Sequence, residues 1–111
     1  MTVNMEITVE RWPIAGTFTI SRGSKTEAAV VVCTLRDGLH TGRGECVPYA
    51  RYGESLDSVC AEIEKLRSVL AAGANRQDLP GLIGAGAARN AVDCALWDLE
   101  AKRAGSLFLF S

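Results

Sequence analysis

One change of rhythm constrains this chain more than any other feature. Up to about residue 46 hydrophobic side chains follow strand patterns; from Ser55 onward they recur at helical spacing. In "NMEITVERW", Met5, Ile7 and Val9 alternate with Glu6, Thr8 and Glu10, the pattern of a strand with one wet face, and Pro13 ends or edges it. "AAVVVCTL", residues 28–35, is apolar on both sides and predicts a central strand covered on both faces. Asp37-Gly38 predicts a hairpin turn, because glycine accepts the positive φ that a tight turn needs. "LHTGRGECV" returns as a third strand, where Gly42 and Gly44 suggest a bulge or a neighbour pressed against the backbone.

Past Ser55, the residues Leu56, Val59, Ile63, Leu66 and Leu70 form one stripe, with Glu62, Lys65 and Arg67 away from it. Ser55, or the loop just before it, is placed to cap this helix and Gly73 to close it. A second helix is predicted from about Ala87 to Ala104, with Gly105 as its stop. Its small residues Ala88, Ala91, Cys94 and Ala95 leave room for a close partner, while Val92, Leu96 and Leu99 supply bulk and Trp97 lies on an adjacent face. The expected fold is α+β, a three-stranded antiparallel meander followed by helices.

With 111 residues, the chain can bury one real core and no second large domain. Twelve Lys+Arg against thirteen Asp+Glu leave a net charge of −1, which argues against nucleic acid. No stretch is long and apolar enough to span a bilayer, and the N-terminus lacks the pattern of a secretory signal. Cys33, Cys46, Cys60 and Cys94 are too far apart for a zinc knuckle or a CxxC motif, and read as small buried hydrophobes in a reducing compartment. These features predict a cytoplasmic protein. The tail "GSLFLFS" carries four apolar side chains with no further element to bury them. Either the sequence is cut at the border of a larger protein, the preferred reading, or the tail folds back onto the sheet.

Few residues offer chemistry. "GAGAARN" follows no strand and lacks the lysine of a phosphate loop, so it reads as glycines loosening a helix start. His40, the only histidine, has no carboxylate placed by sequence to orient it, and reads as a surface residue. The serines lack a nucleophile-elbow context. Asp93 and Asp98 lie five apart, on different helix faces; Arg89 and Lys102 are their i,i+4 partners, and Asp98 could instead anchor a neighbouring loop. Two loops remain. The first, "AGTFTISRGSKTE", holds Phe18 and Arg22; the second holds Tyr49, Arg51, Tyr52 and Glu54. An aromatic ring beside a guanidinium suits an organic carboxylate, since the ring excludes water and the fork donates two parallel hydrogen bonds. Solvated loops with packed tyrosines are the alternative. Neither loop supplies a general base or a metal cage.

"WPIAGTFTISRGSKTEAAVVV", "GRGECVPYARYGES" and "GAARNAVDCALWDLEAKRAG", in that order, resemble the N-terminal capping domain of the enolase superfamily in its muconate-cycloisomerase-like branch. Within that branch the resemblance is to dipeptide epimerases acting on L-Ala-D/L-Glu, and it covers about residues 5–105. It implies a cap over residues 1–105 whose two loops fold over the mouth of a TIM-like barrel, with 106–111 the truncated start of that barrel or a linker to it. It implies a substrate-binding set of Phe18, Arg22, Tyr49, Arg51, Tyr52 and Glu54, with Arg22 meeting the terminal carboxylate, and it puts the Trp97-Asp98 face at the domain junction. The implied reaction is a Mg²⁺-assisted 1,1-proton transfer at the α-carbon of a dipeptide, because enediolate charge needs a divalent cation. The lysines and Asp/Glu/Asp ligands that do this work belong to barrel strands, and a barrel takes roughly 250 residues. These 111 residues are therefore expected to carry no catalytic or metal-binding residue and to be inactive alone. The full-length parent is expected to bind Mg²⁺, with homo-oligomer formation left open. A cycloisomerase or o-succinylbenzoate-synthase relative, or a free-standing interaction fragment, are the rival readings.

Overall fold

In a computed structural model, residues 3–13, 27–49 and 53–108 are described. Three strands come first: β1 (Asn4–Pro13), β2 (Glu27–Arg36) and β3 (Thr41–Cys46). They form one antiparallel sheet in the order β1-β2-β3, so the apolar strand is central, as its composition predicts. The hairpin turns at Gly38, whose φ of 97° is open to glycine and strained for other residues. Helices follow: α1 (Leu56–Glu64), α2 (Arg67–Ala71), a 3₁₀ turn (Arg76–Asp78), α3 (Leu79–Leu82) and α4 (Ala87–Phe108). The α+β meander-then-helices architecture is thus realised. No helix among the described residues is long and apolar enough to cross a membrane.

Register explains which sheet face is dry. Met5 pairs with Leu35 and Ile7 with Cys33, while Leu35, Cys33 and Val31 pair with Gly42, Gly44 and Cys46. All eight share one face, and the helices cover it with Val59, Ile63, Leu66, Leu70, Val92, Leu96 and Leu99. On the opposite face Arg43 bridges Glu10 of β1 at 2.9 Å and Glu45 of β3 at 2.6 Å, spanning β2. Val32, paired with Thr8 and Glu45, is buried on that face and Val30 half-buried.

Gly42 and Gly44 mark a close approach rather than a bulge, since the β2–β3 register runs unbroken through both. A Cβ on Gly44 would strike the Ala91 carbonyl oxygen and lie 2.7 Å from the Ala95 amide nitrogen. One on Gly42 would strike the Ala95 oxygen and lie 2.6 Å from Leu99 N. The partner for the small stripe of α4 is therefore β3, and the absent side chains of Gly42 and Gly44 together with the small ones of Ala91 and Ala95 let backbone meet backbone.

Side chains reach main-chain groups at both outer edges of the sheet. The Asp37 N–H donates to the His40 oxygen at 3.1 Å, so by antiparallel alternation the main-chain groups of Thr41 and Arg43 point away from β2. The Arg43 N–H donates to Asp98 Oδ2 at 2.9 Å, and Lys102 Nζ donates to the Thr41 oxygen at 2.7 Å. At the β1 edge the Arg67 guanidinium donates to the Met5 carbonyl. Unpaired edge groups are otherwise templates for association.

Three expectations are corrected. The first helical stripe does not run straight to Gly73: it breaks at Lys65-Leu66, where the Leu66 N–H turns back to Ile63 O, and α2 starts with Arg67 reaching across to β1. Gly105 does not stop the second helix, which continues to Phe108; glycine in a helix costs only about 1 kcal/mol relative to alanine. Cys94 is exposed rather than buried, because it lies off the Ala91–Ala95 face that meets β3, while Cys33 and Cys46 are buried and Cys60 is half-buried. Burial pushes the Cys33 thiol up to about 12 and that of Cys46 up to about 11.

Candidate functional site

The candidate site is the second loop where it meets the start of α4. Its path follows from Ser55, which caps α1 in a reciprocal box with Ser58: each side chain accepts from the other's N–H, at 3.0 and 2.8 Å. That cap fixes the residue beside it. Glu54 sends Oε1 to the Tyr49 N–H at 2.8 Å and Oε2 to the Ala87 N–H at 3.0 Å, and its own N–H donates to the Tyr49 oxygen at 3.2 Å. One carboxylate thus joins Tyr49 to the first turn of a 22-residue helix. The Ala87 N–H, then that of Tyr49, hold the Glu54 carboxyl below its ordinary range against a smaller opposing effect of burial. Gly86 leaves space for it, since a Cβ there would lie 2.8 Å from Glu54 Oε2.

An open cavity of about 350 Å³ lies alongside, lined in part by Gly53, Glu54, Ser58, Val59, Ile83 and Gly86. Tyr49 is half exposed at the loop's near end. Of the six residues expected to meet substrate, Tyr49 and Glu54 are brought together; Phe18, Arg22, Arg51 and Tyr52 lie outside the described residues. Sequence reasoning put Glu54 among the substrate contacts. Its two hydrogen bonds are to main chain, and its partner at Ala87 is 33 residues away, beyond any local spacing signal.

Other polar groups act as scaffold. His40 does have a carboxylate nearby: Nδ1 stands 3.8 Å from Asp37 Oδ1, which also accepts the Leu39 and His40 N–H groups at 3.1 and 2.7 Å. Arg103 Nε donates to Asp37 Oδ2 at 2.6 Å, and the Asp37 side chain is only 3% exposed. The His40 N–H and Arg103 bring the Asp37 carboxyl down to about 2. Asp98 pairs with Lys102 at 3.1 Å, as its spacing predicts, and anchors a strand edge rather than a loop. Burial pushes its carboxyl up, but Arg43 N–H and Lys102 outweigh this and hold it below its ordinary value. Asp93 pairs with Arg76 at 3.0 Å instead of Arg89, and the same guanidinium stacks 4.4 Å from the centre of the exposed Trp97 ring. Among the described residues no group of three or more His, Cys, Asp or Glu could hold a metal ion. A magnesium ion does not fit these side chains.

Comparison with known proteins follows the same outline. The family described as mandelate racemase / muconate lactonizing enzyme, N-terminal domain, matches residues 2–108. The L-Ala-D/L-Glu epimerase of Escherichia coli is 52% identical over 94 residues, 85% of this chain and 29% of the relative. An N-acetyl-D-glutamate racemase from Pseudoalteromonas is 42% identical over 80 residues, 67% of this chain and 24% of the relative. An enolase family member from Agrobacterium tumefaciens with homology to dipeptide epimerases, solved with sodium and L-Ala-L-Glu and an ordered loop, superposes with a TM-score of 0.86 at 59% identity, over 93% of this chain and 32% of that one. A dipeptide epimerase from Cytophaga hutchinsonii, complexed with Mg and D-Ala-L-Val, gives a TM-score of 0.73 at 28% identity, over 94% of this chain and 31% of that one. The chain therefore spans about a third or less of the length of these relatives.

Proposed function

The chain belongs to the mandelate racemase / muconate lactonizing enzyme N-terminal domain family, and from that premise we propose that it is the cap of an isomerase that epimerises dipeptides ending in glutamate. The observation that carries this is the 52% identity with the E. coli epimerase over nearly the whole cap. A loop held at Tyr49 and Glu54 against α4 supports it, because a cover over a reacting α-carbon has to return to one position at each turnover.

In this reading Phe18 and Arg22 meet the substrate from the first loop, with Arg22 forking onto the terminal carboxylate, and Tyr49, Arg51 and Tyr52 cover it from the second. Their work is to bind, orient and exclude water; the proton is moved by groups outside these 111 residues. Homologous epimerases bind Mg²⁺, and the cap's own part is assigned without a metal ion. The Pseudoalteromonas relative favours a second reading, racemisation of an N-acylated glutamate. Both relatives' names describe inversion beside the carboxylate of a glutamate whose nitrogen is acylated.

Two fusions test the proposal, joining residues 2–108 to the remainder of either the E. coli epimerase or the Pseudoalteromonas racemase. Deuterium wash-in at the α-carbon, followed by NMR in D₂O, is expected on L-Ala-D-Glu and L-Ala-L-Glu with the first fusion. The 111 residues alone are expected to give none. Turnover only in the second fusion, on N-acetylglutamate, selects the second reading. Two folded but inactive fusions refute both.

A further inference from the structure

We propose that Glu54 is a positioning residue for the reaction, acting through the main chain of Tyr49 rather than by touching substrate. The inference rests on the proposed function for its kinetic consequence, and on geometry alone for the tie itself. Three hydrogen bonds converge on this residue: Tyr49 N–H to Oε1 at 2.8 Å, Ala87 N–H to Oε2 at 3.0 Å, and Glu54 N–H to the Tyr49 oxygen at 3.2 Å. Tyr49 is thereby gripped through both its amide and its carbonyl, while its side chain stays half exposed. The far end of the tie is well founded, since α4 lies backbone to backbone on β3 at Gly42 and Gly44. Glu54 itself is set by the Ser55–Ser58 box that starts α1. Tyr49 thus takes its position from two helices through one carboxylate, and a carboxylate suits the task because it can accept from two N–H groups at once. Glutamine keeps one accepting oxygen and turns a donor toward the other N–H. Alanine keeps neither.

The test has a structural and a kinetic arm. In the 111-residue chain, amide exchange by NMR should find Tyr49 and Ala87 protected, with protection lost in Glu54→Ala and retained at one of the two sites in Glu54→Gln. In the active fusion, Glu54→Ala should raise KM on the order of tenfold while kcat changes by less than about threefold, with Glu54→Gln between it and wild type. The change should be equal for L-Ala-L-Glu in the first fusion and N-acetylglutamate in the second, the latter substrate lacking the ammonium group that a substrate-facing carboxylate would pair with. Thermal midpoints within a few degrees of wild type keep a folding defect from passing as the effect. Gly86→Ala, which crowds Oε2 without altering Glu54, should raise KM in the same direction.

A loss confined to the dipeptide overturns the proposal, since Glu54 would then face the substrate. So does an unchanged KM in a folded Glu54→Ala fusion, or protection that survives in the alanine variant. Two folded wild-type fusions that are both inactive, with Tyr49 and Ala87 still protected, refute the proposed function and leave the tie supported.

Discussion

Replacing Gly44 by alanine adds one methyl group at the tightest point of the fold. Its carbon would overlap the Ala91 carbonyl oxygen and stand 2.7 Å from Ala95 N, both main-chain atoms of α4. No rotamer change relieves such a contact, so the helix must lift from the sheet or β3 must bend. Overpacking of well-filled interiors costs typically 1–3 kcal/mol, and an unyielding backbone on both sides puts this case at about 3 kcal/mol or more. The smaller conformational entropy of the unfolded chain with alanine in place of glycine offsets at most about 1 kcal/mol. Urea denaturation followed by far-UV circular dichroism reads the balance: with a slope of about 1.5 kcal/mol per molar, a net loss near 2–3 kcal/mol lowers the midpoint by about 1.3–2 M. Trimming Ala91 to glycine in the same chain should not restore it, because the obstruction is a carbonyl and not a methyl. Gly81→Ala, with open space around its Cβ, is the control and should leave the midpoint within about 0.5 M. A Gly44→Ala chain as stable as wild type would refute the backbone-to-backbone contact, and with it the reason α4 carries alanines on that face.

Two further predictions concern titration and thiol access. The Asp37 carboxyl falls from the ordinary 3.8 to about 2 on folding, so it contributes stability in full above about pH 4 and loses it as pH drops toward 2; Asp37→Asn should flatten that limb of the pH–stability curve, as measured by urea midpoints between pH 2 and 5. In native protein at pH 7.5 a thiol reagent should label Cys94 rapidly and leave Cys33 and Cys46 unlabelled until denaturant is added, and mass spectrometry of labelled peptides would show a failure at once.

What the sequence discloses of this fold is what repeats locally. Met5 and Ile7 alternating with acidic neighbours, and Val59, Ile63, Leu66 and Leu70 at helical spacing, place the strands and the buried helix face correctly, because burial acts on each residue through its immediate period. Gly42 and Gly44 announce a close approach, and Ala88, Ala91 and Ala95 its other half. The features that escape are contacts between distant residues. Nothing near Leu66 signals that the helix breaks so that Arg67 can reach the Met5 carbonyl. Asp93 has an arginine at helical spacing and still pairs with Arg76, brought to it by the turn before α3. Cys94 shows a different limit: its neighbours Ala91 and Ala95 are small and buried, and only the angular position around α4 separates it from them. At the site, Tyr49 and Glu54 stand out by residue type, while the tie from Glu54 to Ala87 exists only once the helices are assembled.

The side chains that occupy the rims of the sheet have a consequence for how this chain behaves in company. Asp98 and Lys102 from one side and Arg67 from the other take up main-chain donors and acceptors on which a newcomer could be templated. All three sit on helices, so this protection exists only while the helices are docked. Partial unfolding that released α4 would bare the β3 rim in the same event, coupling loss of the helix to fibril-like polymerisation.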